Sequence, residues 1–576
     1  MFSSFREPNG MLPLILGVTG HRDLRPEDLP GLRLQVKKVF DEIHSQWAEK
    51  GESGAPLYLL SGMAAGADQL AAEVALEAGI KVIAVLPMPL SEYEADFPSD
   101  EERQHLKTLL QQASGTITLP SLGGAREAQY EAVGTYISRQ SSLLLALWDG
   151  THVDKIGGTS HVVRMKLYGA DSNADGPLHS LELSPPGPVC HIVTPRQSSP
   201  TPPSSSIRVL GLEGESGELK SSALEGNPRI AASLGGMREF NADWKRLKTR
   251  LGAQAEAAAK GFLPTPPQSE DEEYLRSYYG VADTLAIYFQ RLSNRFVNWY
   301  FGLLLFAGVL LEGGYYYFPA GDKVEPFEIT YGALMLVLGT LYWFSKKKDF
   351  QNRYLDYRAL AEALRVQLFW RLAGVKDSVA DHYLAHQVGD MGWVCKALEA
   401  IHLPLLPPTS SDFGALREYW VKDQLKFFKS SVRKNARMAA KVNKAGGVAL
   451  GLSLVWVGLR IVSADWFTKV LVKENPGVSL PEELPWHEVV RMLGDHLLQP
   501  HFFSYLISIF CVVFAGTSAI AFVLFGYDKF RGFSEHSKRH LAMIPIYEMA
   551  TRALARPLSD ESARQVVLQL GREALA

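Results

Sequence analysis

The chain has 576 residues, 47% of them hydrophobic and 10% aromatic, enough for several domains of roughly 100 to 200 residues each. A formal charge of −3 gives no general signal for nucleic acid or for an acidic substrate. Its three cysteines, Cys190, Cys395 and Cys511, lie far apart, which excludes a disulfide framework or a cysteine-based zinc site and suits a reducing compartment. The opening residues, MFSSFREPNG, hold no apolar core of signal-peptide length, so no cleaved leader is expected.

In chain order, Leu12 to Thr19 reads as a buried strand that runs out through Gly17, Thr19 and Gly20 into His21, Arg22 and Asp23. Arginine is a good planar partner for phosphate, and open α/β sheets place ligands at this edge of the first strand. An exposed turn arginine is the alternative. Asp28 to Lys50 has helical spacing, with Leu32, Val36, Val39, Phe40, Ile43 and Trp47 on one face. The stretch from Tyr58 to Pro87 then reads as strand, loop, helix and parallel strand. Its loop is built from small residues, among them Ser61, Gly62 and Gly66, and Asp68 follows at the helix start. Backbone N–H groups in such a loop, with the positive end of a helix behind them, suit a phosphate. An ordinary βαβ turn that needs glycine only for tight geometry fits the same residues. Tyr136 to Trp148 joins a helix end carrying Arg139 to an apolar strand that stops at Asp149 and Gly150; Gly157, Gly158 and Thr159 open the next helix. Three glycine-bearing strand-to-helix turns in one domain point to a nucleotide-type pocket.

These residues carry a resemblance. GVTGHRD at 17 to 23, LSGMAAGAD at 60 to 68, AVLP at 84 to 87, YISRQSSLLLALWDG at 136 to 150 and GGTSHVV at 157 to 163 resemble the SLOG superfamily over residues 10 to 197. That Rossmann-like group includes DprA, the cytokinin-activating LOG enzymes and the ligand-sensing N-terminal domains of melastatin-type TRP channels. The resemblance implies a parallel sheet and a nucleotide-derived ligand. LOG enzymes carry PGGxGTxxE, whose glutamate is catalytic. Here Gly157, Gly158 and Thr159 keep part of the pattern, Val162 stands three positions after the threonine, and no carboxylate occurs from Ser160 to Ala170. Glycosidic hydrolysis needs a proton-transfer group there. The reading is therefore a binding module with no catalytic residue, cofactor or metal. A membrane-anchored LOG-like nucleotide N-glycosidase, with Asp149 or Asp154 replacing the glutamate, is the alternative.

Residues 171 to 225 are rich in Ser, Pro and Gly and read as a flexible insertion or linker, with PVCHIVTPR at 188 to 196 inside it as a last strand of the sheet. Beyond it the chain turns helical. Four apolar segments, at 296–318, 327–344, 445–462 and 502–526, have lengths that span or nearly span a bilayer, buried core helices being the alternative for the shorter ones. Arg291 and Arg295 precede the first, Lys346 to Lys348 follow the second, Arg433, Lys434, Arg437, Lys441 and Lys444 precede the third, and Lys529 and Arg531 follow the fourth. This bias places both termini in the cytoplasm of a multi-pass inner-membrane protein. Glu312, near the outer end of the first span, is the candidate pore residue, or an interfacial glutamate beside three tyrosines. Tyr279, Val281, Asp283, Leu285 and Tyr288 are echoed by Tyr419, Val421, Asp423, Leu425 and Phe428, each set ahead of a pair of spans. YRALAEALRVQLFWRLAG at 357 to 374 resembles the two-span SLATT modules, which are paired with nucleotide sensors in prokaryotic conflict systems and are proposed to form pores.

The expectation is an α/β Rossmann-like N-terminal domain at 10–197 and an all-α membrane domain with four transmembrane helices and long cytoplasmic helices. The membrane domain divides into units at 227–402 and 415–572. The expected ligand site comprises Thr19, Gly20, His21, Arg22, Ser61, Gly62, Gly66, Asp68, Arg139, Asp149, Gly157, Gly158 and Thr159. Its partners are a nucleotide-type ligand, the lipid bilayer and further copies of the chain, with no nucleic acid. The ligand would gate an oligomeric pore or disrupt the membrane, as an anti-phage effector does, unless the spans serve only as an anchor.

Overall fold

Unbroken apolar runs such as LILGV and KVIAVL suit strands buried on both faces, and such strands belong to parallel sheets covered by helices. The computed structural model describes residues 10–48, 55–121, 126–153, 157–169, 186–198, 206–213, 218–317, 326–382, 385–408, 411–474 and 500–575. It forms a mixed sheet with helices in the N-terminal part and a helical remainder. The N-terminal elements are β1 (Leu14–Gly20), α1 (Leu29–Trp47), β2 (Leu57–Ser61), α2 (Ala67–Glu77), β3 (Lys81–Leu86), α3 (Leu90–Tyr93), α4 (Asp100–Gln112), β4 (Gly115–Thr118), α5 (Arg126–Gln140), β5 (Leu143–Trp148), α6 (Thr159–Tyr168), β6 (Val189–Val193), β7 (Ile207–Glu213) and β8 (Glu218–Ser222).

The sheet runs β4-β3-β2-β1-β5-β6-β7-β8. The neighbours from β4 to β6 are parallel, whereas β7 and β8 are antiparallel. The parallel sheet expected over residues 10–197 is found there, and two antiparallel strands beyond it make the whole sheet mixed. The two added strands come from the stretch read as a linker, where serines and prolines around Ile207 to Glu213 mask its short apolar core. Residues 171–185 and 199–205 of that stretch lie outside the described residues. Strand order moves one way from β1 to β4 and the other way from β1 through β5 to β8, so the switch point lies between β1 and β5. In open α/β sheets that crevice, at the carboxyl ends of the strands, is where ligands bind.

One sheet face, with Ile15, Tyr58, Leu60, Leu144 and Ala146, packs with Val133 and Ile137 of α5 and Val162 and Val163 of α6 in a single core. By the period-two alternation of a strand, Leu14, Leu16, Leu57 and Leu59 point to the other face and are buried, as are Val36, Val39 and Phe40 of α1.

The helical remainder comprises α7 (Pro228–Gly261), α8 (Glu270–Tyr317), α9 (Pro326–Lys348), α10 (Phe350–Leu372), α11 (Ala385–His402), α12 (Phe413–Leu416), α13 (Asp423–Glu474), α14 (Pro500–Arg531), α15 (Phe533–Leu554) and α16 (Asp560–Leu575). Asn227 caps α7 through the Arg229 amide, with Pro228 at the first helical position. The chain divides into two compact units. One holds residues 1–287, 354–416 and 557–576; the other holds 288–353 and 417–556. Helices α7, α10 and α11 fall in the same unit as the sheet. Asn241 of α7 shows how: its Oδ1 accepts the Leu12 N–H at 2.7 Å and its Nδ2 donates to the Leu12 carbonyl at 2.9 Å, fixing the approach to β1. Tyr357 of α10 in turn donates to Asp243 of α7 at 2.8 Å.

In the second unit α13 packs along α14 and α15. Ser453 lies 2.8 Å from the Thr517 hydroxyl and accepts the Ser518 hydroxyl at 3.1 Å, which ties α13 to α14. Among the described residues one continuous helical run, Phe413–Leu459, which takes in α12, a π-helical turn at Arg417–Lys422 and the first part of α13, is long and apolar enough to cross a membrane. The expected span at 445–462 falls in this region. Those at 296–318, 327–344 and 502–526 fall on α8, α9 and α14 without adding a second helix that meets the same criterion among the described residues. The side chain of Glu312 lies outside the described residues.

Candidate functional site

The loops after β1, β2 and β5 meet backbone to backbone at the switch point. A Cβ on Gly66 (φ +86°) would stand 2.5 Å from the Arg22 carbonyl oxygen and 2.6 Å from that of His21. A Cβ on Gly20 would stand 2.4 Å from the Ala67 Cβ. The glycines therefore serve close approach of two loops as much as any ligand. The Ala67 N–H, first in α2, donates to the His21 carbonyl at 3.0 Å, and His21 N–H donates to the Leu147 carbonyl at 3.1 Å.

Within the β2 loop the Met63 and Ala64 amides are satisfied by side chains of the loop itself. Met63 N–H donates to Ser61 Oγ at 3.1 Å, while the Met63 carbonyl accepts Gln69 Nε2 at 3.2 Å. Met63 itself has φ +56° and is fully buried, a conformation costing on the order of 1–3 kcal/mol that the surrounding bonds hold in place. The Asp68 carboxylate accepts the Ala64 amide, so it closes the loop rather than standing free at its mouth. Burial pushes its pKa up to about 7, against the opposing pull of Arg22 and the Ala64 amide.

Arg22 is an exposed cation at the site, its side chain 51% accessible. Its guanidinium lies 5.0 Å from the Tyr130 ring centroid and 4.0 Å from Asp96. Asp96 also pairs with Arg126 at 2.5 Å and accepts the Tyr130 hydroxyl, and the Tyr93 hydroxyl donates to the Gly62 carbonyl at 3.0 Å. None of Tyr93, Asp96, Arg126 and Tyr130 is among the residues expected from sequence. Tyr93 ends the single turn α3 and Asp96 the 3-10 turn after it, a segment following β3 that is too short to show a periodicity. Only its place after a strand of a parallel sheet could have marked it.

On the other side of the switch point, His21 Nε2 accepts the Asp149 amide at 3.0 Å and lies 3.3 Å from the Asp149 carboxylate. Burial lowers the His21 pKa, Asp149 opposing it. Asp149 Oδ1 also accepts the Thr151 N–H at 2.9 Å. Next to it His191, fully buried, meets the Trp148 carbonyl with Nε2 at 2.8 Å and accepts Arg208 Nε at Nδ1 at 3.1 Å. This fixes a neutral tautomer with the proton on Nε2. Burial, aided by Arg208, holds the His191 pKa down at about 4. At the start of α6 Gly157 (φ +73°) lies against the Glu131 backbone, its N–H donating to His161 Nδ1 at 3.2 Å. His152 and Ser160 share a hydrogen bond of 2.8 Å beside it. Gly158 caps the helix and Thr159 begins it.

Thr19 to Arg22, Ser61 to Asp68, Asp149 and Gly157 to Thr159 all lie at the carboxyl ends of parallel strands. Arg139 does not join them. It ends α5 and leads into the start of β5, at the opposite edge of the sheet, where it pairs with Asp381 at 3.1 Å. Asp154 lies outside the described residues. No group of three or more His, Cys, Asp or Glu that could hold a metal ion occurs among the described residues. Comparison with protein-family models finds none that matches, and comparison with curated proteins finds none similar.

Proposed function

We propose that the α/β domain binds a nucleotide-derived signal at the β1/β5 switch point and that binding regulates an oligomeric membrane element, as in an anti-phage effector of the inner membrane. The observation that carries this reading is Arg22: a half-exposed guanidinium at the carboxyl end of β1, beside two other glycine-bearing strand-to-helix turns. Arginine there matches a phosphate bidentately, and the Tyr130 ring offers a face beside it. The resemblance to the SLOG superfamily supports the ligand class. The membrane part rests on helix 413–459 and on large apolar side chains left uncovered along α9 and α13, among them Leu336, Trp343, Leu454 and Val455. On this reading all four apolar segments cross the bilayer, both termini face the cytoplasm, and the spans of several copies form a pore. Ligand must bind the open membrane state more tightly than the closed one, since equal affinity shifts nothing.

The test is calorimetric titration of the full chain in detergent with ADP-ribose, cyclic ADP-ribose and cyclic oligonucleotides, then chromatography of each mixture. Saturable binding with the ligand recovered intact, lost in Arg22→Ala at unchanged thermal stability, supports a sensor. Release of a free base would replace it with a glycosidase, and unchanged affinity in Arg22→Ala would remove Arg22 from the site. Ion flux from liposomes on ligand addition separates a pore from an anchor.

A further inference from the structure

The lower half of α13 carries a groove of about 820 Å³, open to solvent and lined by one helical face from Lys422 to Lys441. Between residues 422 and 444 the sequence holds eight basic side chains and a single acid, Asp423. Steps of three or four residues along Lys422, Lys426, Lys429, Arg433, Arg437 and Lys441 set the cations one above another on that face. Two of them are neutralised from within the chain: Lys422 by Glu418 at 2.6 Å and Lys429 by Glu548 at 2.7 Å. Lys426, Arg433, Lys434, Arg437 and Lys441 have no ion pair among the described residues, and the last four are exposed. Like charges at i and i+4 repel, so an unneutralised row of this kind destabilises its own helix unless an anion occupies it.

The next turns of the same helix identify the anion. Directly after Lys444 the exposed side chains become apolar, with Val448, Leu450, Leu452, Leu454 and Val455 between 44% and 63% accessible. At about 1.5 Å per residue, Lys441 and Arg437 lie about 6 and 12 Å before Ala445 along the axis, within reach of a headgroup layer. Lys422 lies about 35 Å before it. We infer that Arg433, Lys434, Arg437 and Lys441 form a binding site for the phosphate headgroups of anionic phospholipids of the cytoplasmic leaflet. Basic clusters placed immediately beside a membrane span are attracted to such headgroups. The inference rests on the reading of this helix as membrane-spanning.

The experiment places the full chain in nanodiscs of phosphatidylcholine alone or mixed with phosphatidylglycerol, and counts lipid adducts by native mass spectrometry. Retention of phosphatidylglycerol over phosphatidylcholine is expected, falling roughly fivefold for each of Arg433, Arg437 and Lys441 changed to Gln. Lys422→Gln and Lys426→Gln, at the far end, are expected to leave it unchanged and control for altered insertion. Equal retention of both lipids, or equal loss at the two ends of the row, overturns the site. So does preferential binding of soluble tripolyphosphate that phosphatidylglycerol does not displace. A chain released from membranes by alkaline carbonate overturns the spanning reading itself, before any lipid is varied.

Discussion

His21 and Asp149 tie the end of β1 to the end of β5: the Asp149 amide donates to His21 Nε2 at 3.0 Å, and the carboxylate of the same residue lies 3.3 Å from that nitrogen. The amide bond needs a neutral ring acceptor, whereas the carboxylate favours a protonated one. Burial decides in favour of the neutral form, with Asp149 working against it. Asp149→Asn removes the opposing charge and keeps the amide, so the His21 pKa is expected to fall further. Histidine proton shifts followed through a pH titration measure this directly; a rise on substitution would show that the carboxylate does not act on the ring. A histidine whose folded pKa lies below its unfolded value adds stability that is complete above about 6.5 and is lost as pH falls. The variant is therefore expected to lose stability over a wider acid range than the parent.

Gly66 and Gly79 both have positive φ, at +86° and +73°, but a Cβ on Gly79 meets nothing within 4 Å. Gly79→Ala is expected to cost about 1 kcal/mol, the left-handed backbone alone. Gly66→Ala adds a clash with the His21 and Arg22 carbonyls, so its cost is expected to exceed that by on the order of 1–3 kcal/mol. It should also displace Arg22. Denaturant midpoints compare the two, and equal costs would mean that the loops after β1 and β2 are free to part.

The contrast shows what the sequence makes legible. Apolar runs that end in glycine, or for β3 in Pro87, locate β1, β2, β3 and β5 and hence the edge where the loops meet, because a doubly covered strand leaves an unbroken hydrophobic signature. That signature does not show that these glycines serve loop-to-loop approach, since a residue without a side chain looks the same whether it faces a ligand or another backbone. Arg139 reads as a site residue because it is a cation just ahead of an apolar strand, inside the YISRQSSLLLALWDG stretch that carries the resemblance. Yet a residue that ends a helix before a parallel strand must lie at the strand's amino end, away from Arg22. Tyr130 and Asp96 leave no mark in the sequence because their roles depend on contacts across 34 residues, between a 3-10 turn and a helix.

Asp68 offers a pH test. Its pKa is raised in the fold, so the folded state holds its proton more tightly than the unfolded chain, and stability falls as pH rises from about 4 to about 7. Asn keeps an oxygen for the Ala64 amide and resembles the protonated acid. Asp68→Asn is expected to match the parent near pH 4 and to exceed it above pH 7, a gap of about 2–4 °C in Tm for each kcal/mol of relief. Thermal scans across that range decide it. A gap that stays constant with pH would show that the carboxylate ionises in the fold at its ordinary value.

Behind the sheet, Lys166 of α6 and Lys396 and Glu399 of α11 are all nearly inaccessible, at 1%, 8% and 5%. Lys166 Nζ donates to the Ser138 carbonyl at 3.2 Å and to that of Ser141, and Lys396 pairs with Glu399 at 2.7 Å. Burial holds Lys166 well below the usual lysine range, Lys396 adding to the effect and Glu399 opposing it. Glu399 is thus the single buried carboxylate facing two amines. Removing one partner of a buried pair leaves an uncompensated charge, so Glu399→Gln is expected to destabilise the first unit by about 3–5 kcal/mol. Adding Lys396→Met to Glu399→Gln removes the stranded ammonium and is expected to recover most of that loss, a coupling that a double-mutant cycle in denaturant reads out. If Glu399→Gln alone stayed within about 0.5 kcal/mol of the parent, as substitutions on an open surface do, water rather than Glu399 would be neutralising Lys396.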